Sequence, residues 1–245
     1  MKKQMGNNYY ALRKSKLLKD FDKMVKRVRK VFVSHYGESL TDTMVGEARL
    51  EYEALIPQMP YVGGKQPFTR FVITTAQFLA VYKALKRHDK TTVEETGRLI
   101  YEVCQEIMNS YPKFVLRLVG QINFSKRFLK GLQKRAAESQ KRKYPGDYVY
   151  TFVEGDGKEF DYGVDYTECA GCKFLKEQGA PELAPYLCPI DILYSEKLGW
   201  GLVRTMTLAE GYEKCDFRFK KGGKTKVAVP ESMKWLYETK RILAA

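Results

Sequence analysis

Up to about residue 145, apolar side chains recur every three or four positions, the period of a helix that buries one face. Leu12, Leu17, Leu18, Phe21, Met24, Val25, Val28 and Phe32 form such a stripe among lysines and arginines, and Gly37 is placed to stop it. A second helical segment over about 41–55 ends at Pro57 and Pro60, and a third runs from Pro67 to about Arg87. Thr91 and Glu94 have capping-box spacing and open a fourth helix, with Leu99, Ile100, Val103, Ile107 and Met108 as its stripe. Pro112 restarts the chain into a fifth helix that ends at Tyr144, Pro145 and Gly146.

After Gly146 the period changes to two. YVYTFVE at 148–154 and the segment 160–166 are β-branched and aromatic, and Gly155-Asp156-Gly157 between them signals a hairpin. Residues 168–179 and about 181–197 predict two short helices. LVRTMTLA at 202–209 and KCDFRFK at 214–220 predict two more strands, joined by a turn at Gly211, and Pro230 opens a last helix. The expected fold is α+β: a helical region over 1–145, then a cysteine-bearing region over 146–245 with a mainly antiparallel four-stranded sheet and covering helices. The two regions are compatible with one compact unit.

Composition narrows the class. With 245 residues, 44% of them hydrophobic, the chain can bury a sizeable core and is too apolar to be disordered. Its most apolar run, FVITTAQFLAVY at 71–82, is too short to span a bilayer, and no apolar run follows the basic N-terminus. A soluble, cytoplasmic protein without a membrane partner is therefore expected. The five cysteines are Cys104, Cys169, Cys172, Cys188 and Cys215. An odd number without an export signal points to free thiols in a reducing compartment.

The formal net charge of +14 is localised. Residues 11–30 hold nine Lys/Arg against Asp20 and Asp22, and residues 126–143 hold eight against Glu138. These two stretches account for the whole excess, so the cysteine region is nearly neutral. Solvated faces of amphipathic helices explain such charge, and no recognition motif accompanies it. Nucleic acid is not expected as a partner beyond weak, salt-sensitive binding. The sequence is compatible with a homo-oligomer.

The strings that carry chemistry are TECAGCK at 167–173, LCPID at 187–191 and RTMTLAEGYEKCDFRF at 204–219. Cys169 and Cys172 fall in the first turn of a predicted helix, where amide N–H groups and the helix dipole favour a thiolate; Glu168 opposes it. The spacing C-x2-C-x15-C-x26-C has one metal-like pair and two single cysteines, an incomplete zinc signature. A zinc ion or iron–sulfur cluster held by Cys169, Cys172, Cys188 and Cys215 is the alternative to free thiols. These four are expected to converge, and Cys104 to be buried elsewhere. Asp191 and Asp216, each near a cysteine, are acid/base candidates. His35 and His88 lie in the helical half, and either could pair with a cysteine only if that half folds over the sheet. The glycine-rich stretch from Tyr61 to Lys65 lacks phosphate-loop spacing and reads as a turn.

The run over 161–219 resembles the L-2-amino-thiazoline-4-carboxylate hydrolase family. Four motifs carry the likeness: the E-C of Glu168 and Cys169, the C-x-x-D of Cys188 and Asp191, R-T-x-T-x-A-x-G from Arg204 through Thr207 to Gly211, and the C-D-F-R-F that begins at Cys215. The stretches IPQMPYVGGK (56–65) and FLAVYKALK (78–86) share it, whereas the basic N-terminal helix is not explained by it. The resemblance implies hydrolytic opening of a small cyclic isothiourea to N-carbamoyl-L-cysteine, with no cofactor. For that reaction Cys169 or Cys188 is the favoured nucleophile and Asp191 or Glu168 the base and amidinium partner. Cys215 is a further catalytic candidate. Arg204 is the expected partner of the substrate carboxylate, and Thr207 and Asp216 are further candidates for substrate binding. The competing classes are a cysteine-ligated metal or redox sensor and a nucleic-acid binder using the basic helices.

Overall fold

Helix α1 (Lys14–Leu55) is continuous in secondary structure but reverses direction at Gly37. A straight helix would separate Lys14 from Glu53 by about 58 Å, yet the two form an ion pair at 2.6 Å. Asp22 and Arg49 pair across the same arms at 2.8 Å, and Phe21 stacks on Tyr52. Gly37 makes the reversal with φ 73°, a conformation that costs a residue with a Cβ far more than glycine. The expected stop at Gly37 and the second segment over 41–55 are thus two arms of an αα-hairpin. The computed structural model describes residues 9–64, 66–88 and 91–237; most of the predicted last helix lies outside them.

Helix α2 (Pro67–Arg87) packs against α1, and its N-terminus is capped by the Gln66 side chain, which accepts from the Phe68 amide at 3.3 Å. Helix α3 (Val93–Asn109) starts with a capping box on Thr92 and Glu95, one residue later than expected. In TTVEE both registers have equal local merit; Glu94 instead accepts from the Tyr186 hydroxyl at 2.9 Å. The expected fifth helix is two, α4 (Lys113–Ile122) and α5 (Lys126–Ser139), because Ser125 caps a fresh start by accepting from the Phe128 amide.

The remaining elements are β1 (Val149–Glu154), β2 (Tyr162–Glu168), α6 (Ala170–Glu177), α7 (Ala184–Leu187), α8 (Ile190–Leu198), β3 (Leu202–Arg204), β4 (Cys215–Phe219) and β5 (Lys226–Val227). The α+β class holds, but the sheet is five-stranded and mixed, in the order β1-β2-β4-β3-β5, with β3 and β5 parallel. Two departures explain the difference. Beyond Arg204 the carboxylate of Asp216, rather than a neighbouring strand, accepts from the amides of Thr205 and Met206, so the strand expected to reach 209 ends at 204. The two-residue β5 is too short to show a period.

Register gives the sheet two different faces. Tyr150, Phe152, Tyr162, Val164, Tyr166, Cys215, Phe217, Phe219, Leu202 and Arg204 share one face through their pairings. Asp165, Asp216, Arg218 and Val203 share the other, where Asp165 holds Lys214 and Arg218 at 2.7 Å. Helices cover the aromatic face. Buried residues of both halves of the chain join in one hydrophobic cluster.

Helix α4 meets the end of α8 so closely that a Cβ on Gly120 would lie 1.8 Å from the Leu198 carbonyl oxygen. Gly120→Ala is therefore expected to lower stability by about 1–3 kcal/mol in urea unfolding. Gly131→Ala, in α5 and facing only the end of the Arg135 side chain, is expected to raise it by up to about 1 kcal/mol.

Candidate active site

Helices α2, α6, α7 and α8 roof the aromatic face of the sheet and leave a cavity of about 270 Å³. Each cysteine reaches it from its own position. Cys169 is the N-cap residue of α6 and Cys172 lies in its first turn; Cys188 joins α7 to α8; Cys215 begins β4. These four converge as expected. Cys104, on α3, is buried as expected but lines the same cavity, because α3 packs on α7 and α8 rather than apart from them. All five are free thiols.

The thiols are not equivalent. The Cys172 thiol beside it, and then the amides of Cys172 and Gly171 at the helix start, outweigh burial and lower Cys169 to about 7. Those amides stand near the sulfur without closing a cap of ordinary geometry, so they act as a field rather than as formed bonds. Cys172 is pushed strongly upward because it keeps the proton that its neighbour gives up. Burial likewise raises Cys188, and Cys104 to about 12. Cys215 rises to about 11 through burial, although its sulfur accepts from the Leu208 amide at 3.2 Å. Of the five, Cys169 is the thiol that ionises near neutral pH.

Asp191, in the first turn of α8, accepts a charge-assisted hydrogen bond from Arg204 Nη1. The guanidinium is 1% exposed and also points at the carbonyls of Cys188, at 3.4 Å, and Ala228, at 3.5 Å, with Phe217 beneath it. Burial pushes the Asp191 carboxyl up, and Arg204 only partly pulls it back. Because arginine stays charged, the pair is ionic whenever Asp191 is ionised. Asp191 keeps 32% of its side-chain surface exposed, and as a wall residue it presents that surface to the cavity. Its Oδ1 has no hydrogen-bond donor among the described residues.

A family model described as L-2-amino-thiazoline-4-carboxylic acid hydrolase matches residues 70–219, more than half of the chain. The chain belongs to that hydrolase family. Comparisons with curated proteins and with solved structures gave no match. The segment matching the hydrolase family contains every described residue of the cavity wall except Phe68, and it omits the basic α1 hairpin.

Three residues singled out from the sequence stand outside the cavity. Glu168 ends β2 with its carboxylate held by Arg142 and Lys173; Lys173 also donates to the carbonyls of Pro145 and Asp147. Asp216 is one residue out of phase with Cys215 and Phe217, so it faces away from the cavity and clamps Thr205 and Met206. Thr207 is buried and exchanges hydrogen bonds with Glu210, capping a short turn of helix at Leu208–Glu210. Arg204 does line the cavity, but its guanidinium is already paired. The helical half does fold over the sheet, yet His35 pairs with Glu102 and His88 with Glu47, away from the cysteines. Among the described residues no group of three or more His, Cys, Asp or Glu side chains is arranged to hold a metal ion, and no helix is long and apolar enough to cross a membrane. The sequence reading missed Arg70 and Thr75, both on the wall. A signal was present: Arg70 is the one charged residue between Gln66 and Tyr82.

Alkylation of Cys169 by iodoacetamide, followed by peptide mass spectrometry, is expected to be half-maximal near pH 7. Removing the thiol donor in Cys172→Ala destabilises the thiolate, so the midpoint moves up; Cys172→Ser, which keeps a donor, moves it less. Arg204→Met strands a carboxylate against apolar walls and is expected to cost about 3 kcal/mol in denaturant unfolding, most of it recovered by adding Asp191→Leu.

Proposed function

We propose that the chain hydrolyses a small cyclic isothiourea such as L-2-amino-thiazoline-4-carboxylate to N-carbamoyl-L-cysteine, with Cys169 as nucleophile. One observation carries the reading: the thiol lowered to about 7 shares a cavity with a carboxylate that has a free oxygen. The first supplies a nucleophile at neutral pH; the second is a partner for an amidinium and then for water.

The substrate enters as a cyclic amidinium whose positive charge is attracted to Asp191. The Cys169 thiolate adds to the amidinium carbon, forming a C–S bond. The ring C–S bond then breaks, and the ring sulfur leaves as a thiolate that takes up a proton. The enzyme now holds an S-linked isothiouronium. Water, losing a proton to Asp191 Oδ1, adds to the same carbon; collapse expels Cys169 as a thiolate, the new hydroxyl sheds its proton to leave the urea of the product, and Asp191 returns its proton to solvent. Counted from the amidinium, the net change is the addition of one water and the release of one proton. Cys188, the other candidate nucleophile, is held protonated by burial and fits the wall better than the reaction. Glu168 is already neutralised by two cations and is not among the wall residues, which favours Asp191 as the base.

The test is hydrolysis of the thiazoline by Cys169→Ser and Cys188→Ser beside melting curves. Cys169→Ser is expected to lose at least about 100-fold in kcat with little change in Tm. Cys188→Ser is expected to keep most of its kcat and lose stability, since a hydroxyl replaces a thiol in an apolar wall. Full activity in Cys169→Ser would remove the thiol mechanism. In the parent, kcat/KM is expected to fall as pH drops through about 7, as the Cys169 thiolate is protonated.

A further inference from the structure

The charged residues on the cavity wall are Arg70, Asp191 and Arg204. The last two neutralise each other, and Arg204 is buried with its two terminal nitrogens turned to Asp191 and to the Cys188 and Ala228 carbonyls, so its fork is not available to an incoming anion. Arg70 is the remaining cation. Among the described residues it forms no salt bridge. It and Phe71, 54% exposed, are the exposed members of the described wall, which places both at the mouth.

Its position on α2 connects the mouth with the reacting thiol. Arg70, Thr74 and Phe78 line the cavity at four-residue intervals, one face of the helix. Thr75, next to that row, is level with the thiol: a Cβ placed on Gly171 would lie 3.4 Å from Thr75 Oγ1 and 3.6 Å from Cys169 Sγ. Five residues separate Arg70 from Thr75, about 7.5 Å along the axis. Arg70 therefore stands over the entrance with the thiol below it. Its charge reaches across the opening. Burial and then Cys104 drive the Tyr194 phenol up to about 12, and Arg70 opposes them.

We infer that Arg70 is a carboxylate receptor at the mouth of the cavity, holding the anionic end of the substrate while its electrophilic carbon meets Cys169. The assignment rests on Cys169 being the reacting thiol, as proposed above. A guanidinium is suited to the task because its planar fork donates two parallel hydrogen bonds to a carboxylate. The substrates are then small acids. A neutral or cationic analogue of the same ring enters without this anchor.

The test compares two alkylating reagents of nearly equal size, iodoacetate and iodoacetamide, on the full chain at low salt, with modification read at Cys169 by peptide mass spectrometry. In the parent, Arg70 favours the anionic reagent. Arg70→Met is expected to lower the iodoacetate-to-iodoacetamide rate ratio by about tenfold or more, the loss of a hydrogen bond to a charged group, with the iodoacetamide rate within about twofold of the parent. Arg70→Lys is expected to keep part of the ratio, as a point charge without the fork. A ratio unchanged in Arg70→Met overturns the inference, whatever the protein hydrolyses. Turnover gives a second reading: in Arg70→Met, KM should rise about tenfold or more for the thiazoline acid and stay put for 2-aminothiazoline, which lacks the carboxylate. If the parent does not open the thiazoline but the alkylation ratio falls as expected, the proposed reaction is wrong and the carboxylate receptor stands.

Discussion

A guanidinium taken out of water must be neutralised and hydrogen-bonded wherever it goes, and in this fold Arg204 draws four parts of the chain toward itself for that purpose. Asp191 comes from the start of α8, the Cys188 carbonyl from the α7–α8 junction, the Ala228 carbonyl from beyond β5, and the ring of Phe217 from β4. The Arg204 backbone joins the same knot, since its carbonyl accepts from the Ala228 amide at 2.8 Å. One buried charge thus sets where the helices that carry Cys188 and Asp191 sit over the sheet. The wall would lose its shape with a lysine here, which has no planar fork to serve several oxygens at once.

That knot also accounts for the division of labour in the cavity. Aromatic and aliphatic walls make charge expensive, so burial holds Cys104, Cys188 and Cys215 protonated, while Cys172 keeps its proton first through its bond to Cys169 and then through burial. Cys169 escapes because it sits at a helix start beside a thiol that can donate to it. The same walls raise the Asp191 carboxyl, bringing it closer to a useful base. The proposed nucleophile and base therefore respond in opposite ways to one apolar environment. The local protein dipoles decide which group goes which way.

The basic stretches are best understood as helix surfaces. On α1 part of the charge is met by acids of the opposite arm, with Lys14 on Glu53, Arg29 on Glu38 and Asp42, and Arg49 on Asp22. Exposed pairs of this kind contribute little stability each, but they favour the antiparallel register of the arms over a slipped one. On α5, packed against β1, the charges project from the side away from Leu132 and Ala136, which are buried.

The periodicities were enough to determine most of the element types, the change from helix to sheet near Gly146, the break at Gly37 and the placing of Cys169 at a helix start, because each depends on residues within one or two turns of each other. Local pattern could not choose between Thr91 and Thr92 as the cap, or foresee that Asp216 would end β3 at Arg204. It also could not say that Glu168 and Thr207 would be consumed by neighbours while Asp191 kept a free oxygen. Those outcomes turn on which side chains are brought together by residues far apart in sequence, and on how much water each one loses. The clearest case is the pair of arginines. Arg204 sits in a motif and Arg70 in an apolar run, so the first invited the role of anion receptor. Only the tertiary structure showed Arg204 buried and neutralised and left Arg70 at the mouth with its charge unmet, because desolvation and ion pairing are properties of the packed chain rather than of the spacing along it.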